Sequence, residues 1–123
     1  MRPSRPFTAL TLSAGLLAST LASAGPAAAD GVKVFNLQCR TCHAAKSTVA
    51  GPSLSGVAGR RIAGLSDFAY SQALKGKGGV WTDSALDAYL AAPGKFAPGG
   101  RMITAVAAPA DRAAVIAYLK TLK

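Results

Sequence analysis

Five residues, Cys39-Arg40-Thr41-Cys42-His43, constrain this chain more than any other stretch. They hold both of its cysteines and its one histidine. On a helical turn, side chains three positions apart share a face, so two thiols at this spacing reach the same flat ligand. C-x-x-C-H is the attachment signature of a c-type haem. Each thiol adds to one vinyl group of the porphyrin, and the residue after Cys42 is held under the iron, where a neutral imidazole ligates well. Other uses of the motif fit poorly. A thioredoxin-like pair belongs beside alternating strands and helices, and no strand pattern is present. Structural zinc takes four Cys or His ligands, and the chain has three. A disulfide across two residues closes too small a loop to constrain the unfolded chain much. The expected cofactor is therefore one haem c, covalent through Cys39 and Cys42, with His43 as an iron ligand.

The N-terminus reads as an export signal. Arg2 and Arg5 precede an uncharged run from Phe7 to Ala24 that is rich in leucine, and Ala22-Ser23-Ala24 and Ala27-Ala28-Ala29 follow. A basic start, an apolar middle and small residues at the end mark a cleaved secretory signal, with the cut expected after Ala29 or, as the runner-up, after Ala24. An uncleaved anchor is the alternative, but the run is near the minimum for a span and is diluted by Thr, Ser and Gly. Residues 1–29 are thus expected to be a signal peptide and 30–123 a single haem domain in the periplasm. Loss of Arg2 and Arg5 takes Lys plus Arg from 14 to 12 against five acids, a formal +7. A domain this small has a marginal core, which a buried porphyrin helps to fill.

Helical periods dominate the remainder. A first helix is expected from Asp30, with Val32, Phe35 and Cys39 on one apolar face. Residues 44 to 64 read as loop, with Gly51-Pro52, Gly56, Gly59 and Gly64 as breakers. A short helix is expected from Ser66 or Asp67 to Lys75, stopped by Gly76. Thr82 or Asp83 caps another, carrying Leu86, Tyr89 and Leu90, which Pro93 ends. Residues 94 to 109 read as irregular. The last helix begins near Pro109 and presents Val115, Tyr118, Leu119 and Leu122. The fold class is all-α: three or four helices and long loops wrapped on one haem.

The iron needs a ligand opposite His43. Met102 is the only methionine after the signal and follows the Pro98-Gly99-Gly100 turn. Loops can aim a side chain at a fixed point, so Met102 is the expected sixth ligand. A lysine, water or an open site remain alternatives at this point.

Taken together, these motifs resemble a small class I cytochrome c of the bacterial and mitochondrial kind. The resemblance runs over Gly31 to Lys120. Gly31 and Phe35 precede the haem motif. Gly51-Pro52 opens a segment that closes at Arg60, and Tyr70 to Lys75 and Trp81 follow. Next come Leu86, Tyr89, Leu90 and Pro93, then Pro98 to Met102, and finally Arg112 to Lys120. It implies that the Pro52 carbonyl accepts the second ring proton of His43, a bond that orients the ligand. It implies that Tyr70 and Trp81 donate to a buried propionate, with Arg60 as the cation that offsets its charge. It also implies that Gly31 and Phe35 pack against Tyr118. Two positions depart from the family. Gly100 stands where a threonine often donates to a propionate, and Thr104 where an aromatic often covers the haem edge.

Permanent His and Met ligands leave no easy place for a substrate. The expected function is a soluble periplasmic electron shuttle and not an enzyme. Its partners would be membrane redox complexes or periplasmic oxidoreductases with acidic docking surfaces, drawn by Lys46, Lys75, Lys77, Lys95 and Arg101. A monomer is expected, and no nucleic-acid partner. The alternatives are a dedicated haem subunit of a periplasmic dehydrogenase, or a ligand-binding or peroxidatic haem domain whose methionine leaves. Carbon monoxide binding to the ferrous protein separates the last of these from a closed shuttle.

Overall fold

The computed structural model describes residues 26–123; the greater part of the expected signal segment lies outside them. Five helices follow one another: α1 (Pro26–Gln38), α2 (Gln72–Lys75), α3 (Asp83–Ala91), α4 (Pro93–Phe96) and α5 (Pro109–Leu119). Two of the five are single turns. The described residues contain no strand, and one isolated antiparallel bridge joins Arg61 to Val80. The all-α expectation holds. None of the described helices is long and apolar enough to cross a membrane.

α1 crosses α5, and α3 packs against both α5 and α4. Gly31 makes the first crossing possible. A Cβ built there would stand 2.8 Å from the Tyr118 Cβ and closer still to the Ala114 carbonyl. One turn on, the rings of Phe35 and Tyr118 meet edge to face at 5.2 Å, a favourable arrangement for two quadrupoles. The core fills from this crossing, with Val34, Leu86, Leu90, Val115, Ile116 and Leu119 all buried. Val115 is fully enclosed.

Several local expectations are corrected. α1 starts a turn before Asp30, because Ala27 to Ala29 are strong helix formers and a proline suits the first helical turn. Its buried stripe is Gly31, Val34, Phe35 and Cys39; Val34 is 8% exposed and Val32 37%. Gly31, Phe35 and Cys39 are on the face as expected, and the correction is one residue, Val34 in place of Val32. The second helix covers only Gln72–Lys75. Ser71 caps it, its hydroxyl accepting from the Leu74 N–H at 3.2 Å. Phe68 and Tyr70, packed edge to face at 4.9 Å, hold the residues before it out of helical register. The stretch after residue 93 is not wholly irregular: α4 uses Pro93 at its first position, where the missing N–H costs nothing. Lys75 closes α2 as expected, and Lys95 lies in α4, within a stretch that reads as irregular from sequence.

Thr82 caps α3, its hydroxyl accepting from the Ala85 N–H at 3.1 Å. Before it, the backbone pairs residues 59–62 with 79–81. Trp81 N–H donates to Arg60 O at 2.8 Å, and Gly59 N–H to Trp81 O at 2.9 Å. This short pairing sets Arg60 beside Trp81 on the same wall of the molecule's interior cavity.

Candidate functional site

That cavity has a volume of about 240 Å³. Every residue singled out from the sequence lines it: Cys39, Cys42, His43, Pro52, Arg60, Tyr70, Trp81 and Met102. Val57, Leu86, Leu90, Val115 and Leu119 supply apolar walls from the loop, α3 and α5.

The attachment motif continues α1 by one more turn. Cys39 N–H donates to Phe35 O at 2.9 Å, and His43 N–H to Cys39 O at 2.9 Å. Tight turns beyond the end of α1 thus lead to His43, and both cysteines and the imidazole line the cavity. Cys39 is buried and Cys42 exposed, and burial pushes the Cys39 thiol up from its ordinary value. Among the described residues, no three His, Cys, Asp or Glu side chains gather as a metal site would require.

His43 is held from behind. Its Nδ1 lies 2.9 Å from the Pro52 carbonyl. A carbonyl only accepts, so Nδ1 carries the proton and Nε2 keeps the lone pair. Gly51 lets the loop come this close: a Cβ there would sit 2.6 Å from the Cys42 carbonyl and 3.1 Å from Nδ1. Ser47 and Ser53 tie the same loop down. The Ser47 hydroxyl accepts from Ser53 N–H at 3.0 Å and donates to Asp67 at 3.0 Å, linking the histidine loop to the Tyr70 loop. None of these serine bonds was read from the sequence, because each joins residues without a shared motif.

On the far wall Arg60 spends its two terminal nitrogens on Ser55 O and Ser53 O, each at 3.0 Å. Its Nε is buried without a partner. A buried unpaired donor on a guanidinium is costly, and an anion in the cavity would satisfy it. Tyr70 OH receives the Leu65 N–H at 3.4 Å, which leaves its proton to donate. Trp81 stacks on Phe96 with ring centroids 5.7 Å apart. Ser71, not singled out from sequence, also lines the cavity. It accepts from Leu74 and so has a hydroxyl proton to spare. Gly100 has no room for a threonine, since its Cβ would meet the Ala97 carbonyl at 2.9 Å. Arg101 lies against the Phe68 ring, 5.1 Å from its centroid, and donates to Ala69 O. The donor set fits a haem: thiols at one wall, a bare imidazole nitrogen, a thioether, apolar sides and an orphaned cation for a propionate.

The cytochrome c family model matches residues 28–123. This chain belongs to the cytochrome c family. It is 43% identical over 97 residues to cytochrome c of Tetrahymena pyriformis, covering 77% of this chain and 88% of that one. The cytochrome c-type cyt cy of Rhodobacter capsulatus is 45% identical over 94 residues, 75% of this chain but 47% of its own length. The solved structure of cytochrome cH from Methylobacterium extorquens superposes with a TM-score of 0.71 at 38% identity, covering 76% of this chain and 97% of the other. Membership brings haem c, bound covalently through Cys39 and Cys42, and haem-based electron transfer with redox proteins or membrane complexes as partners.

Proposed function

We propose that the chain is a soluble periplasmic one-electron shuttle, ligated by His43 and Met102, and not an enzyme. The observation that carries this reading is the His43–Pro52 bond of 2.9 Å. It leaves one imidazole lone pair, fixed in direction, on the same cavity as the only thioether among the described residues. When bound, the haem supplies one iron that gains and loses a single electron.

The protein's residues do the rest. Pro52 holds the imidazole tautomer and raises its basicity. Met102 offers a neutral, soft donor with no proton to lose, which favours the reduced state over a second imidazole. Leu86, Leu90 and Val115 exclude water and raise the potential further. Arg60, Tyr70, Trp81 and Ser71 supply donors for propionate oxygens, Arg60 through its unpaired Nε. Residues 1–29 direct export, and cleavage after Ala29 removes the first turn of α1. Far from contact, the formal charge of +7 over residues 30–123 draws the protein towards acidic surfaces on its partners. Lys46, Lys75, Lys77, Lys95 and Arg101 are all exposed.

Carbon monoxide tests the closed site. The ferrous protein at neutral pH should leave its absorption spectrum unchanged under the gas. Ready uptake would favour a ligand-binding haem domain instead.

A further inference from the structure

The amide behind the imidazole has a second polar end. Pro52 O takes the Nδ1 proton of His43 at 2.9 Å. The Ser53 N–H belongs to the same planar, resonance-coupled peptide unit, and it donates to the Ser47 hydroxyl at 3.0 Å. That hydroxyl in turn donates to the Asp67 carboxylate at 3.0 Å. Three hydrogen bonds and one amide thus run without a break from the imidazole to an exposed carboxylate. Every donor in the chain points towards Asp67, so the bond dipoles add head to tail.

Both ends are held in place. Thr48 N–H donates to Gly51 O at 2.9 Å, closing a turn that brings Ser47 against Ser53. On the other side, the Leu65 N–H bond to Tyr70 OH and the edge-to-face Phe68–Tyr70 pair fix the turn that carries Asp67. Among the described residues Asp30, Asp83 and Asp87 are paired with cations, and Asp67 is not. Its charge is left for the serine hydroxyl, and a bond to an ionised acceptor is about twice as strong as one to a neutral acceptor.

Hydrogen bonds in a row polarise one another. The carboxylate draws on the Ser47 proton and makes the Ser47 oxygen a better acceptor. The Ser53 N–H is drawn in its turn, the amide shifts electron density onto Pro52 O, and that oxygen pulls harder on the Nδ1 proton. A more basic Nε2 results, which favours ferric over ferrous iron. No proton leaves its atom; only electron density shifts.

We propose that Ser47 and Asp67 are positioning residues for electron transfer, which lower the reduction potential through the Pro52–Ser53 amide. This rests on the electron-shuttle reading with His43 on the iron. Neither residue lines the cavity, so both act through the histidine and not on the cofactor.

The midpoint potential of the holoprotein tests this at about 1 M salt, where the Debye length is about 3 Å and fields through water are screened. The variants are Ser47→Ala, Asp67→Asn, the two together, and Ser53→Ala. Ser47→Ala keeps the carboxylate and breaks the chain; Asp67→Asn keeps the shape and removes the charge. Ser53→Ala removes the bonds to Ala45 O at 3.0 Å and from Ser55 N–H at 3.3 Å in the same loop, but keeps its own N–H. Ser47→Ala and Asp67→Asn should each favour the ferrous form roughly threefold. At about 59 mV per tenfold for one electron, that is a rise of about 30 mV. The double variant should rise no further than Ser47→Ala, because both changes cut one chain. Ser53→Ala should match the parent. In the ferrous protein the His43 Nδ1–H resonance should move upfield in both single variants and stay put in Ser53→Ala.

A potential and a resonance unmoved by Ser47→Ala would overturn the proposal even if stability falls, since the link would then only tie two loops. A shift with Asp67→Asn alone would overturn it by assigning the effect to charge acting through space. A Ser53→Ala shift equal to that of Ser47→Ala would overturn it by assigning the effect to a loosened loop. Carbon monoxide uptake, or loss of a reversible couple, in the parent counts against the shuttle reading. A normal couple that the variants leave unmoved counts only against this relay.

Discussion

Arg112 Nε donates to Asp87 at 2.8 Å, and the same guanidinium donates through Nη1 to Val106 O at 3.0 Å and Ala107 O at 2.8 Å. One side chain at the start of α5 thereby fastens α3 to the end of the Met102 segment. Val106 is buried at this junction, and its N–H returns to Leu90 O at 2.8 Å. The pair is worth more than a surface ion pair because the arginine is mostly buried and also satisfies the carbonyl of buried Val106.

Arg112→Ala should lower stability by about 1–3 kcal/mol, the cost of stranding partly buried acceptors. Denaturant melts measure this. Arg112→Lys should recover only part of the loss, since an ammonium lacks the planar fork that serves Asp87 and both carbonyls together. Full recovery with lysine would mean that charge alone matters here.

Gly31→Ala should destabilise the fold by about 1–3 kcal/mol, as overpacking of a tight contact does. Alanine gains up to about 1 kcal/mol in helix propensity over glycine, but the added carbon collides with the Ala114 carbonyl and the Tyr118 Cβ. Backbone cannot step aside as a side chain can, so the clash should win. A melting temperature at or above the parent's would show that the helices separate without loss.

Met102→Ala should abolish the sulfur-to-iron charge-transfer band of the ferric protein and lower its potential. It should admit carbon monoxide to the ferrous form while the haem stays attached through acid-acetone extraction. An unchanged band would remove Met102 from the ligand set.

Tyr89 gives the fold a definite response to alkali. Burial raises its phenol above the ordinary value near 10. Folding therefore disfavours the phenolate. The contribution to stability is fully present below about pH 10 and is lost as pH rises through the folded-state value. Tyr89→Phe should flatten the fall in stability above pH 10 and leave neutral stability near the parent's. A parallel decline in both proteins would assign the alkaline loss to another group.

Much of the site was legible because its residues act through short spacings. The helical turn dictates where Cys39, Cys42 and His43 point, and a glycine-proline pair nine residues on is a recognisable way to bring a carbonyl behind the ring. Links across long separations were not legible. Arg112 and Asp87 are 25 residues apart, and Ser47 and Asp67 are 20 apart; neither pair has a periodic signal. The exposure of Val49 and Ile103 was also hidden, since both fall in stretches that read only as loop or irregular. The basic residues were visible and their number correct, but only the fold shows that none of the lysines lines the cavity while Arg60 and Arg101 do.

Trp81 is the only tryptophan in the chain. It forms part of the cavity wall and stacks against Phe96. Indole emits in the near ultraviolet, where a porphyrin absorbs strongly, so an indole pressed against the cofactor should be almost dark. Loosening of the wall formed by α3 and the residue 59–62 pairing would lengthen that separation and light it up. The molecule therefore carries its own optical gauge of whether the pocket is shut, readable at micromolar concentration without any label.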